Sequence, residues 1–246
     1  MRALLMIYSI SCYLAGVAAL VFLILFVADY PVLITINHAS VYAPQLPPLS
    51  AALWNTLLLL VWGIQHSVMA DPGFKKRWTR CIPVAAERST YVLTVAIVTV
   101  GVILLWCPMP QMLWKTGGSV LGYTLTGIYW AGWLVVLIST FLINHWHLFG
   151  LQQAYQQARQ IPSKACTFVT PLFYKIVRHP MMTGVLIALW AAPDMSWGRL
   201  LFALVMTGYV YMGTKHEEKT LVMELGDRYT GYCKATPMLF PKLGKK

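Results

Sequence analysis

The chain has 246 residues, 58% of them apolar and only 11% charged, with a mean hydropathy of +0.62. Ordinary soluble domains carry roughly 25% charged residues and disorder needs low hydrophobicity, so both classes are excluded. The net charge of +11 fits either a nucleic-acid surface or a membrane topology, and its distribution decides. Sixteen of the 19 Lys and Arg fall in 71–88, 144–179 and 215–246, while Arg2, Lys115 and Arg199 fall on the alternate segments. That is the positive-inside pattern of cytoplasmic loops; it argues against a nucleic-acid partner and favours contact with membrane lipid.

Ala3–Ala28 supplies 26 uncharged residues, enough for a bilayer span and too long for a signal-peptide core. The 29–50 loop has four prolines and no Lys or Arg, and reads as outside. Ala51–Ala70 is the second span; its Asn55, Gln65 and His66 are costly unless they face protein or water. A basic cytoplasmic loop, 71–88, follows. Ser89–Trp106 reads as a featureless, lipid-facing third span. Cys107–Gly117 is an outer turn, and Gly118–Ile143 the fourth span. Gln152, Gln153, Gln156, Gln157 and Arg159 indicate an interfacial helix, ending in the loop Ile161–Lys164. Pro180–Ala192, at about 20 Å of helix, is too short for a roughly 30 Å core. Pro193–Ser196 is a turn signal, and Trp197–Thr214 returns. This unit is a helical hairpin whose first arm starts below the cytoplasmic surface, or whose tip stays inside the bilayer. The five cysteines (Cys12, Cys81, Cys107, Cys166, Cys233) form no CxxC pair, so neither a disulfide framework nor a metal site is expected. The architecture is an all-α, polytopic membrane bundle with four long spans plus a C-terminal hairpin. We read a single domain, 1–246, with 1–143 as scaffold and 144–246 as the cofactor-binding and catalytic part. The N-terminus is assigned to the outside and the C-terminus to the cytoplasm.

The polar residues at the hairpin mouth carry the chemistry. In Arg178-His179-Pro180 the proline starts a helix, and that helix start beside a guanidinium is an anion site. Gly184, one turn on, lets another group approach. Opposite lies His216-Glu217-Glu218, placed just past the second arm, where two carboxylates oppose the helix dipole and call for a cation or hydroxyl groups. An anion hole facing a carboxylate pair suits a zwitterionic amino acid with a ribose, the parts of S-adenosyl-L-methionine. The alternative is a headgroup-level salt-bridge cluster that anchors the hairpin.

The run from Phe168 through Arg178-His179-Pro180-Met181-Met182-Thr183-Gly184 resembles the RHPxYxG region of isoprenylcysteine carboxyl methyltransferase-like membrane enzymes. Glu217-Glu218, then Gly226-Asp227-Arg228-Tyr229 and Tyr232, are similar to that family's ending. Met182 stands in place of the motif's tyrosine, so no role is carried to it. Trp62-Gly63-Ile64-Gln65-His66-Ser67-Val68-Met69-Ala70, Phe74-Lys75, and Ile82-Pro83 to Tyr91 resemble the nurim/NnrU-type branch. Phe141 to Gln153 and Pro237-Met238-Leu239-Phe240-Pro241 resemble that branch's bacterial methanethiol S-methyltransferases, although the acidic residue expected near His147 and the arginine expected near Gln152 are missing. The resemblance implies a cytoplasmic S-adenosyl-L-methionine pocket built from Tyr174, Arg178, His179, Gly184, Glu217, Glu218 and Tyr229. It also implies a small volatile thiol as acceptor, a bacterial inner membrane, and no obligate protein partner.

Methylating a thiol requires its thiolate, and histidine is the usual proton acceptor near neutral pH. His145, with Asn144 as orienting partner, and His66 both stand at span ends on the cytoplasmic side. Arg178 competes as a group that lowers the thiol pKa without taking the proton. His145 and His147 are two apart and point to different helix faces, which argues against a two-histidine metal site. A lipid or prenylated acceptor is the other substrate reading. It would need a lateral opening, for which Gly122, Gly127, Ala131 and Gly132 qualify, though these equally suit close helix packing. A non-enzymatic, nurim-like membrane protein is a third reading.

Overall fold

A computed structural model of the chain describes residues 2–31, 34–162 and 168–241; Cys166 and the end of the expected Ile161–Lys164 loop lie outside the described residues. In chain order the elements are α1 (Arg2–Val27), α2 (Pro48–Ala70), α3 (Pro72–Trp78), α4 (Val84–Leu105), β1 (Met112–Lys115), α5 (Val120–Ile143), α6 (His145–Leu148), α7 (Leu151–Arg159), a 3-10 turn (Leu172–Lys175), α8 (Pro180–Trp190), β2 (Asp194–Ser196), α9 (Trp197–Leu225) and α10 (Asp227–Ala235). Helices α1, α2, α4 and α5 are long and apolar enough to cross a membrane, so the protein is a polytopic, all-α membrane protein. Contacts group the chain into two compact units: 1–112 with 145–166 and 196–202, and 113–144 with 167–195 and 203–246. The division expected near residue 143 therefore does not follow the packing, because α5 falls with α8.

In the first unit α4 is the central helix, packed by α1, α2 and α7. Its Ser89 and Ile103 are fully buried, so the expected lipid-facing scaffold is corrected to a core helix. Small polar groups hold the near ends together: Ser89 Oγ donates to Ser9 Oγ at 2.9 Å, and the Tyr8 hydroxyl lies 2.8 Å from Thr90 Oγ1. At the far ends the Phe26 and Trp106 rings meet edge-on at 6.0 Å. Helices α1 and α4 thus run parallel, and the N-terminus shares the end of the basic 71–83 segment. One continuous helix, α1, separates that end from the 28–47 loop. The costly Asn55 is satisfied by both backbone groups of Cys107, at 2.7 and 2.9 Å. Gly150 starts α7 at φ 90°, and a Cβ there would stand 2.6 Å from Ser89 Oγ, so only glycine brings α7 this close to α4.

In the second unit α5 and α8 lie antiparallel with their backbones in contact. A Cβ on Gly132 would meet Gly184 O at 2.7 Å, and one on Gly184 would meet Gly132 O at 2.6 Å. Helix α8 has only 11 residues, and the arm completes its length as extended chain, which advances about twice as far per residue as helix. That stretch is anchored beside the start of α5. Thr116 N donates to Pro193 O at 3.0 Å, and Thr116 N and Gly117 N both donate to Asp194 Oδ1 at 2.8 Å. The hairpin tip is therefore level with the start of α5 and does not stop midway, and the expected plain turn is a strand, β2. Helix α9 does not end near Thr214; it continues to Leu225, so Glu217 and Glu218 sit inside a helix. The helix-dipole argument for them is withdrawn.

Candidate active site

In the second unit the two charged motifs meet. Arg178 Nε donates to Glu218 Oε1 at 2.6 Å, with side chains only 10% and 15% exposed. Arg178 Nη1 donates to the carbonyls of Cys233, at 3.0 Å, and Thr236. His179 Nε2 lies 3.1 Å from the same Glu218 oxygen. A carboxylate only accepts, so that nitrogen carries the proton. His179 Nδ1 is 3.6 Å from Glu217 Oε2, and the Glu217 side chain is 55% exposed. The chain tail straps the motif from the other side: Arg178 N and His179 N donate to Pro237 O and Met238 O at 2.9 and 3.1 Å. Burial pushes the Glu218 carboxyl up, and the Arg178 hydrogen bond and charge, with His179, more than reverse this, so it is held below the usual carboxylate range. Burial weakens the Arg178 proton affinity, but Glu218 outweighs it and the guanidinium pKa is raised. Tyr229 is buried, packed at 5.8 Å against both Phe168 and Tyr232; the Tyr232 hydroxyl donates to Tyr174 O. Burial raises the pKa of Tyr174 and Tyr229 and pushes Tyr232 up to about 12, so all three are neutral donors at physiological pH.

Two expectations for this cluster change. Arg178 is not a free anion hole, because its guanidinium is committed to a carboxylate and two carbonyls. Gly184 is not a cofactor contact, because the group it admits is the α5 backbone at Gly132. Gly132 is correspondingly a packing residue and not part of a lateral opening. Met182, the departure from the motif, packs against the Leu186, Val210 and Leu239 cluster.

The first unit holds both histidines. His145 is 6% exposed, and its Nε2 lies 3.1 Å from the Tyr13 hydroxyl. Its ring is walled by Tyr13, Trp146 and Phe149 at 5.8, 5.2 and 4.8 Å. Burial lowers its pKa below the ordinary histidine value. Asn144 ends α5, its N–H donating to Thr140 O at 3.2 Å; Tyr13 is a partner of the His145 ring that the sequence did not suggest. His66 is stacked on Trp62 at 5.0 Å and bonded through Nε2 to the Tyr91 hydroxyl at 2.8 Å. The Arg88 guanidinium lies over that Tyr91 ring, 4.8 Å from its centre.

The chain is 41% identical over 240 residues to the methanethiol S-methyltransferase of Mycobacterium tuberculosis, spanning 98% of this chain and 97% of the relative. It is 40% identical over 245 residues to methanethiol S-methyltransferase 2 of Bradyrhizobium diazoefficiens, spanning 98% and 92%. This chain belongs to the methanethiol S-methyltransferase family. A more distant match is Nurim of Bos taurus, 29% identical over 176 residues, or 67% of this chain and 64% of that protein. No family model and no solved structure matches. Membership of the methanethiol S-methyltransferase family implies a methyl donor, and the motif residues behind the resemblance are those gathered around Glu218. Sequence reasoning missed three parts of this arrangement: the backbone acceptors at Cys233 and Thr236, the 237–239 strap, and the tyrosines Tyr13 and Tyr91 that hold the histidines. The similarity of Pro237–Pro241 was the only signal for the strap.

Proposed function

We propose that this protein catalyses the S-adenosyl-L-methionine-dependent methylation of methanethiol to dimethyl sulfide, at the cytoplasmic face of a bacterial inner membrane. The observation that carries this reading is the 2.6 Å closure of Arg178 on Glu218, within a chain that is about two-fifths identical, nearly end to end, to proteins of that name. The residues at the mouth fit the cofactor. Glu217 offers an exposed, acceptor-only carboxylate for an ammonium group or ribose hydroxyls. The Met181 and Met182 amides, in the first turn of α8, lack acceptors within the helix and suit a carboxylate. Arg178 and His179 would hold Glu218 and orient this wall, Tyr174 and Tyr232 would supply neutral aromatic faces, and the buried Tyr229 would back Tyr232.

The bound cofactor supplies a methyl group on a cationic sulfur. The chain's task is to present a thiolate in line with that carbon–sulfur bond, where positioning is the largest lever. The thiol S–H bond breaks and the proton passes to the His145 imidazole. A cofactor held by these residues would supply the methyl carbon that takes the sulfur electron pair, and would keep its own carbon–sulfur electrons as a neutral sulfide. Burial keeps His145 neutral below the ordinary value of roughly 6.5, so the ring stays available as a base at cytoplasmic pH. Purified protein given methanethiol and S-adenosylmethionine should release dimethyl sulfide and adenosylhomocysteine in equal amounts. Absence of both products at every pH, despite cofactor binding, removes this reading.

A further inference from the structure

An apolar groove of ≈ 370 Å³ lies in the first unit, lined by Met6, Ile10, Trp146, Leu151, Gln152 and Tyr155. Its walls are the first half of α1 and the amphipathic α7, and the Gln152 amide and Tyr155 hydroxyl are the polar groups of its lining. Trp146, in the wall, meets the His145 ring edge-on at 5.2 Å. Tyr13, which bonds His145 Nε2 at 3.1 Å, stands one turn of α1 beyond Ile10 and 6.0 Å from the Trp146 ring. The groove and the buried imidazole therefore share one aromatic partition. His145 is 6% exposed, so no broad aqueous path reaches it, and a charged ligand would shed its hydration to cross this wall.

Resting on the function proposed above, we infer that this groove is the binding site for the neutral thiol, taking a small alkyl thiol from the bilayer interface and passing it by the Trp146 edge to His145. The chemistry selects the ligand. A neutral thiol is apolar, concentrates in lipid, and loses little when it leaves water. The groove gives it dispersion contacts from Met6, Ile10 and Leu151 and an aromatic edge for its sulfur. The proton is removed only beyond the partition, where the imidazole stands, so the charged thiolate does not form in the apolar part. Tyr13 is the positioning residue: its hydroxyl holds the His145 ring at Nε2.

The test fills the groove. In lipid nanodiscs, Ile10→Trp should raise KM for methanethiol about tenfold, the scale set by loss of a methyl-sized apolar contact, while adenosylhomocysteine binds as before. Trp146→Ala should shift preference toward 1-propanethiol over methanethiol. Tyr13→Phe should move the acid limb of kcat/KM, a change that a purely structural tyrosine would not cause. Wild-type KM values in both groove variants overturn the inference. So does native mass spectrometry that finds a phospholipid held by the wild type, lost in Ile10→Trp, with KM unaltered. Failure of the wild type itself to make dimethyl sulfide would instead refute the function on which the inference rests, and the two failures are read from different proteins.

Discussion

Glu218 is the residue on which the second unit's charges converge. It takes hydrogen bonds from Arg178 and His179 within a cluster only 10% to 15% exposed at the two principal side chains. Removing one member of such a pair leaves a buried charge unmatched, at a cost of about 3 kcal/mol. Glu218→Ala should therefore lower the melting temperature in detergent by several degrees, while Glu217→Ala, with its exposed carboxylate, should leave it nearly unchanged. The pH dependence has a definite sign. A carboxyl held below its unfolded value, roughly 4.3, contributes stability that is complete above that value and lost as pH falls through the lower folded one. Thermal stability should be flat above pH 5 and fall below it, and Glu218→Gln should lack part of this acid limb. His145 gives the opposite kind of test, through activity. Its burial extends the active plateau below pH 6.5, and His145→Gln should lower kcat far more than cofactor affinity, with partial rescue as pH rises.

The helix pair α5–α8 sets the depth of the mouth. Its contact rests on two glycines whose missing side chains let backbone touch backbone. Gly184→Leu forces a side chain into the Gly132 carbonyl and should destabilise the protein by about 1–3 kcal/mol. Gly127 lies on the same helix, but a Cβ there would meet no neighbouring atom within 4 Å among the described residues. It should accept alanine with no loss by the same melting assay. At this scale the sequence was readable where periodicity and length speak. Four spans and the Pro180 helix start could be placed from apolar runs and proline, and helix α7 from its run of glutamines. The packing of α4 could not, because Ser89 and Thr99 look neutral in sequence and become core residues only through partners 80 and 37 positions away. The extension of α9 to Leu225 was hidden because the apolar run stops at Lys215, and the charged stretch that follows continues the same helix. Gly184 read as an opening for a ligand, since sequence shows that a side chain is missing but not what fills the space.

For the molecule as a whole, the parallel packing of α1 and α4 places the N-terminus with the basic 71–83 segment. A cysteine introduced at Ala3 should react with a membrane-impermeant maleimide from the same side of oriented vesicles as one introduced in the 71–83 segment; labelling from opposite sides would contradict the parallel packing of α1 and α4. The charge asymmetry was legible from the start, but grouping the start of α1 with the 71–83 segment required the Tyr8 and Ser9 contacts. Family membership and the Glu218 cluster together lead to one central claim, that the hairpin mouth holds an adenosyl amino-acid cofactor. Calorimetric titration of adenosylhomocysteine tests it most directly. The wild type should bind, and Glu217→Gln, an exposed substitution worth at most about 0.5 kcal/mol in stability, should weaken binding at least tenfold with its melting temperature preserved. Equal affinity in the two proteins, or no heat of binding in the wild type, would contradict the account.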